Sequence, residues 1–75
     1  MNASTDLRRI DVTVNGETRT LPAGITVVEL LKRLDLHPRL VVVERNREIL
    51  DRDRYEGTRL DDGDALELVH FVGGG

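Results

Sequence analysis

Ile10, Val12 and Val14 alternate with Asp11 and Thr13, the period-two pattern of a strand that buries one face. Asn15-Gly16 follows directly. Both residues tolerate positive φ, which a two-residue type I′ turn requires, so Glu17 to Leu21 is expected to return as a second strand and close a hairpin. Pro22-Ala23-Gly24 interrupts it. Thr26 then stands three residues before Glu29, the spacing at which each side chain caps the other's backbone N–H, and a helix should begin there. Val27, Leu30, Leu31 and Leu34 fall at i, i+3, i+4 and i+7 and form one apolar face, while Glu29, Lys32 and Arg33 point away from it. The helix is expected to end near Asp35, ahead of His37-Pro38.

Leu40 to Glu44 is a nearly continuous apolar run with three valines, as for a strand with neighbours on both sides. Arg45-Asn46-Arg47 supplies a turn and Glu48-Ile49-Leu50 a short strand; Asp51 to Glu56 and Gly57 read as a loop with one helical turn. Asp61-Asp62-Gly63-Asp64 is a turn. The final strand, Ala65 to Phe71, sets Leu66, Leu68 and His70 on one face and Ala65, Glu67, Val69 and Phe71 on the other. The order describes an α+β domain of the ubiquitin-like β-grasp type: a mixed four- to five-stranded sheet, one main helix packed across it, and a flexible C-terminal glycine tail. One helix leaves one sheet face open, and Val41, Val43, Val69 and Phe71 are candidates for apolar side chains on it. Exposed apolar area there marks a docking surface, with Phe71 and Val69 closest to the tail.

Composition narrows the functions. Seventy-five residues are expected to form one domain, residues 1–75, with a flexible start at 1–6 and a mobile tail at 72–75. A chain of this size buries only about 60% of its unfolded surface, which leaves little apolar material for a pocket. The absence of cysteine removes disulfides, thiolate metal sites and a cysteine nucleophile, and fits the cytoplasm. The net charge is −3, with basic residues scattered among acids, so nucleic acid is not an expected partner; no long apolar run suggests a membrane. His37 and His70 are far apart in sequence and make a poor metal set. Asp61, Asp62 and Asp64 lack the calcium-loop pattern, and Glu44, Arg45 and Arg47 form a polar patch without an assigned role. The glycines Gly73 to Gly75 have neither the lysine nor the following helix of a phosphate loop. No metal, bound cofactor or independent catalysis is expected.

The remaining feature is Val72-Gly73-Gly74-Gly75. Four extended residues reach roughly 13 Å at about 3.3 Å each, and without Cβ atoms the glycines can pass a narrow channel in another protein. A terminal carboxylate so presented can be activated with ATP as an acyl-adenylate and attacked by a sulfur or nitrogen nucleophile. Asn15-Gly16-Glu17, Thr26-Val27-Val28-Glu29-Leu30-Leu31, Val42-Val43-Glu44-Arg45-Asn46, the Asp62-Gly63-Asp64 turn and above all Val69-His70-Phe71-Val72-Gly73-Gly74-Gly75 resemble the ThiS family, the sulfur carrier proteins of thiamine biosynthesis, over nearly the whole chain. The resemblance implies that an E1-like adenylyltransferase uses ATP and magnesium to activate the Gly75 carboxylate, and that a persulfide donor such as a cysteine desulfurase converts it to a thiocarboxylate. It implies that thiazole synthase accepts the sulfur, with Gly73, Gly74 and Gly75 inserted into the partner. Such a chain is a protein co-substrate, not an enzyme. The sulfur carrier subunit of molybdopterin synthase and a ubiquitin-like protein modifier share the tail and stand as alternatives.

Overall fold

The structure is a computed structural model, and it describes residues 8–71. Strands β1 (Arg9–Val14) and β2 (Glu17–Pro22) form the expected hairpin, followed by helix α1 (Val27–Arg33), β3 (Val41–Arg45), β4 (Glu48–Leu50) and β5 (Ala65–His70). Single 3-10 turns occupy Pro38–Leu40 and Arg52–Arg54. The five strands form one sheet in the order β2-β1-β5-β3-β4. β5 runs parallel to β1 and antiparallel to β3, so the last strand in sequence lies in the middle of the sheet.

Local chemistry explains the element boundaries. Asn15 and Gly16 have φ of 51° and 84°, both in the region a type I′ turn demands. Asn46 and Arg47 close the β3–β4 hairpin in the same way, with φ of 52° and 72°. The Thr26 hydroxyl accepts from the Glu29 N–H at 3.2 Å and the Glu29 carboxylate from the Thr26 N–H at 2.9 Å, a complete capping box. At the other end Leu36 N–H reaches Leu31 C=O and Asp35 N–H reaches Lys32 C=O, the Schellman pairing, with Asp35 at φ 59° as the left-handed residue. Seven residues are too few for a stable isolated helix. Packing holds α1: Val27, Leu30 and Leu31 are buried against the sheet, and the carbonyls of Tyr55 and Thr58 receive the N–H groups of Val28 and Val27.

The inner sheet face carries Val12, Val14, Leu21, Leu66 and Leu68, all buried. Val41 and Val43 belong to this set as well. The expectation that they lie on the outer face is corrected by register, because Val43 pairs with Leu68 and Val41 with His70, and cross-strand partners share a face. Both are 0% exposed, and the outward residues of β3 are Val42 and Glu44. Leu40, expected to open that strand, belongs to the preceding 3-10 turn.

Candidate functional site

Val72 and the glycines Gly73, Gly74 and Gly75, to which the sequence assigns the chemistry, lie outside the described residues, as does the 1–6 segment. The structure does describe the base from which residues 72–75 continue. β5 is flanked by β1 on one side and β3 on the other, but neither neighbour covers its whole length. The β1 ladder stops at the pair Val14–Leu66, where the chain turns away at Asn15-Gly16. The Asn15 side chain takes over: its Oδ1 accepts the Leu68 N–H at 2.7 Å and its Nδ2 donates to the Leu68 C=O at 3.3 Å. One amide thus replaces the next strand residue, satisfying a donor and an acceptor that would otherwise be open.

A second side chain does the same for β3. β4 pairs only as far as Val43–Leu50, and the Tyr55 hydroxyl continues the ladder by accepting from Val43 N–H at 3.2 Å and donating to Val41 C=O at 2.8 Å. Tyr55 is 3% exposed, so those contacts lie where water cannot replace them. β3 in turn holds β5 through five paired positions from Arg45–Leu66 to Val41–His70. The Phe71 N–H closes the series on the Leu40 C=O at 2.8 Å. The end of β5 and the Phe71 that follows it are therefore fixed by hydrogen bonds. The sequence singled out neither Asn15 nor Tyr55 for this work.

The apolar side chains next to the tail face outward as expected. Val69 is 54% and Phe71 55% exposed. Val42 pairs with Val69 across the strands, and Ile49, on β4, adds the most exposed large apolar side chain of the described residues at 71%.

The polar patch around Arg45 has a structural role. The guanidinium makes ion pairs to Asp64 at 2.8 Å and Asp61 at 3.0 Å. The other Asp64 oxygen accepts from the Asn46 amide, and Oδ2 also takes the Asp61 N–H. Asn46 Oδ1 receives the Ala65 N–H. Burial by itself would raise the Asp64 pKa. The Asp61 N–H, the Asn46 amide and the Arg45 guanidinium outweigh it and hold the carboxyl below its ordinary value. Asp62 accepts the Asp11 N–H, so the aspartates of this loop lock β1, β3 and β5 together. His37 caps its own turn, its Nδ1 accepting from the Arg39 N–H. Among the described residues no group of three or more His, Asp or Glu could hold a metal ion, and no helix is long and apolar enough to cross a membrane.

The model of the ThiS family matches residues 12–75. The chain is 48% identical over 50 residues to the Bacillus subtilis sulfur carrier protein ThiS, covering 67% of this chain and 76% of that one. It is 47% identical over 62 residues to a thiazole synthase of Paramagnetospirillum magneticum, a match that takes in 83% of this chain but only 19% of the synthase. Among solved structures it resembles the thiamine biosynthesis protein ThiS of Geobacter metallireducens, at 39% identity and a TM-score of 0.74, over 88% of this chain and 100% of that one. The solution structure of the Geobacter metallireducens protein gives a TM-score of 0.72. With a family match through residue 75 and relatives this close, the chain belongs to the ThiS family.

Proposed function

We propose that this chain is a sulfur carrier of thiamine biosynthesis and that the Gly75 carboxylate carries the sulfur. The observation that supports this most directly is the extent of the family match, which runs from residue 12 through the glycines to residue 75. The carrier identity of the Bacillus subtilis relative gives the class of activity. The presence of a similar segment within a polypeptide named thiazole synthase favours thiazole synthase as the acceptor.

In this reading an E1-like adenylyltransferase brings ATP and magnesium to Gly75. The carboxylate attacks the α-phosphate, pyrophosphate leaves, and the acyl-adenylate forms. The terminal sulfur of a persulfide, supplied by a donor such as a cysteine desulfurase, displaces AMP to give an acyl disulfide. A thiol then cleaves that disulfide and leaves the thiocarboxylate, which thiazole synthase receives. The chain is a protein co-substrate: Gly73, Gly74 and Gly75 enter the partner, Val69 and Phe71 seat the body against it, and the catalytic groups are the partner's.

The intact mass of the full chain, incubated with ATP, magnesium, a persulfide source and the adenylyltransferase of the same cell, tests this. The expected product is heavier by the exchange of one oxygen for one sulfur, and deletion of Gly75 abolishes the gain. An unchanged mass with an enzyme shown to be competent on another carrier would overturn the proposal.

A further inference from the structure

On the outer face of the sheet, Glu44 of β3 and Glu67 of β5 are directly paired in register. Side chains so placed have Cβ atoms about 4.5–5.5 Å apart, and like charges in that position oppose folding. Neither carboxylate makes an ion pair or a side-chain hydrogen bond among the described residues. Arg45, which follows Glu44 on β3, pairs with the inward-facing Leu66 and is committed to Asp61 and Asp64.

The surroundings of the Glu44–Glu67 pair are apolar, with Ile49, Val69 and Phe71 exposed and Val42 half-buried. Ile49 lies beside Glu44 as its β4 partner. The Val42–Val69 pair forms the next row, and Phe71 stands beyond Val69 on the same face. Two carboxylates paired within an apolar frame match a cation on an apolar stem. They are less suited to a hydrated metal ion, which would want further oxygen ligands and no apolar border. Arginine fits best: its planar guanidinium presents five donors, enough for two carboxylates at once, and its weaker hydration suits a site that loses water on docking.

Position narrows the bearer to a protein that takes in the tail. Gly75 is only four residues past Phe71, a reach of roughly 13 Å when extended. A protein that holds Gly75 in its active site must therefore lie against the body near the end of β5. We infer that the paired carboxylates of Glu44 and Glu67 receive an arginine of the adenylating enzyme, within the apolar frame of Val42, Ile49, Val69 and Phe71. The inference rests on the carrier reading and adds the charge that selects the partner. The acids repel one another in the free protein and are relieved when the cation arrives.

The test compares the full-length parent with Glu44→Gln/Glu67→Gln in ATP–pyrophosphate exchange catalysed by the adenylyltransferase of the same cell, at low and high salt. A Glu17→Gln/Glu56→Gln variant loses the same charge away from this face. The expected result is a KM for the carrier raised roughly tenfold with kcat unchanged. The control should stay close to the parent, and the salt dependence of KM should flatten only in the paired variant. Its thermal midpoint should be no lower than the parent's, which excludes misfolding as the cause. Equal KM values for parent and paired variant, or equal shifts in paired variant and control, would overturn the inference while leaving the carrier reading intact. A parent that supports no exchange with a competent enzyme would instead sink the carrier reading and this inference with it.

Discussion

Two residues show how single side chains set the stability of this fold. Arg47 occupies the second position of the β3–β4 turn at φ 72°, a conformation that costs an L-residue roughly 1–2 kcal/mol and glycine almost nothing. Part of that gain is lost to the greater freedom of glycine in the unfolded chain. Arg47→Gly is therefore expected to stabilise by roughly 0.5–1 kcal/mol, seen as a thermal midpoint several degrees higher; a lower midpoint would show that the Arg47 side chain makes a compensating contact. Asp64 works in the opposite sense. Its side chain is 8% exposed and anchors Arg45 together with Asn46 and the Asp61 N–H. Asp64→Asn should cost about 2 kcal/mol at neutral pH, the worth of hydrogen bonds to a charged group. The folded pKa of Asp64 lies below its ordinary value of 3.8, so the stability from its ionised form is complete above that value. It is lost as pH falls through the folded pKa. Urea unfolding of parent and variant across the acid range should show the gap closing at low pH, and a gap that stays constant would remove the carboxylate's charge from the account.

At the scale of elements, the strands are short and two side chains finish what they leave undone. Tyr55→Phe keeps the ring in the core but removes the hydroxyl that serves Val41 and Val43. Both backbone groups would then be buried without partners, at a cost of about 1–3 kcal/mol. A lower urea midpoint at unchanged slope is expected, since the surface exposed on unfolding stays the same. The elements themselves were legible because their signals are local. Alternation in β1, Asn15-Gly16, the Thr26–Glu29 box and the aspartate turn each act within a few residues. What local pattern could not supply was side-chain replacement of a strand, since Asn15 meets Leu68 across 53 positions. Nor could it settle which valines of β3 face inward. A run of Leu40-Val41-Val42-Val43 has no alternation to read, and only the pairing with Leu66 and Leu68 on β5 determines it. The role of Arg45 is hidden from local pattern for the same reason, since its partners Asp61 and Asp64 lie on another loop.

Across the whole molecule, body and tail divide the work. Packing, caps and ladders hold residues 8–71 and place the end of β5. Gly73, Gly74 and Gly75 contribute no side chain to that packing, and in the proposed function they carry the chemistry. The glycines were readable because a run without side chains is a sequence signal in itself, whereas the exposed apolar face beside the end of β5 is assembled from β3, β4 and β5. A mutation in one part should then leave the other untouched. Gly74→Ala adds one methyl group to the segment that must pass into a partner's channel. Thermal unfolding should be unchanged. Thiocarboxylate formation should fall by one to two orders of magnitude, because small displacements of a reacting group carry penalties of about that size. If the variant unfolds at a lower temperature, the glycines contribute to the fold. If it is activated at the parent rate, the channel tolerates a side chain, and the advantage of glycine lies in chain flexibility instead.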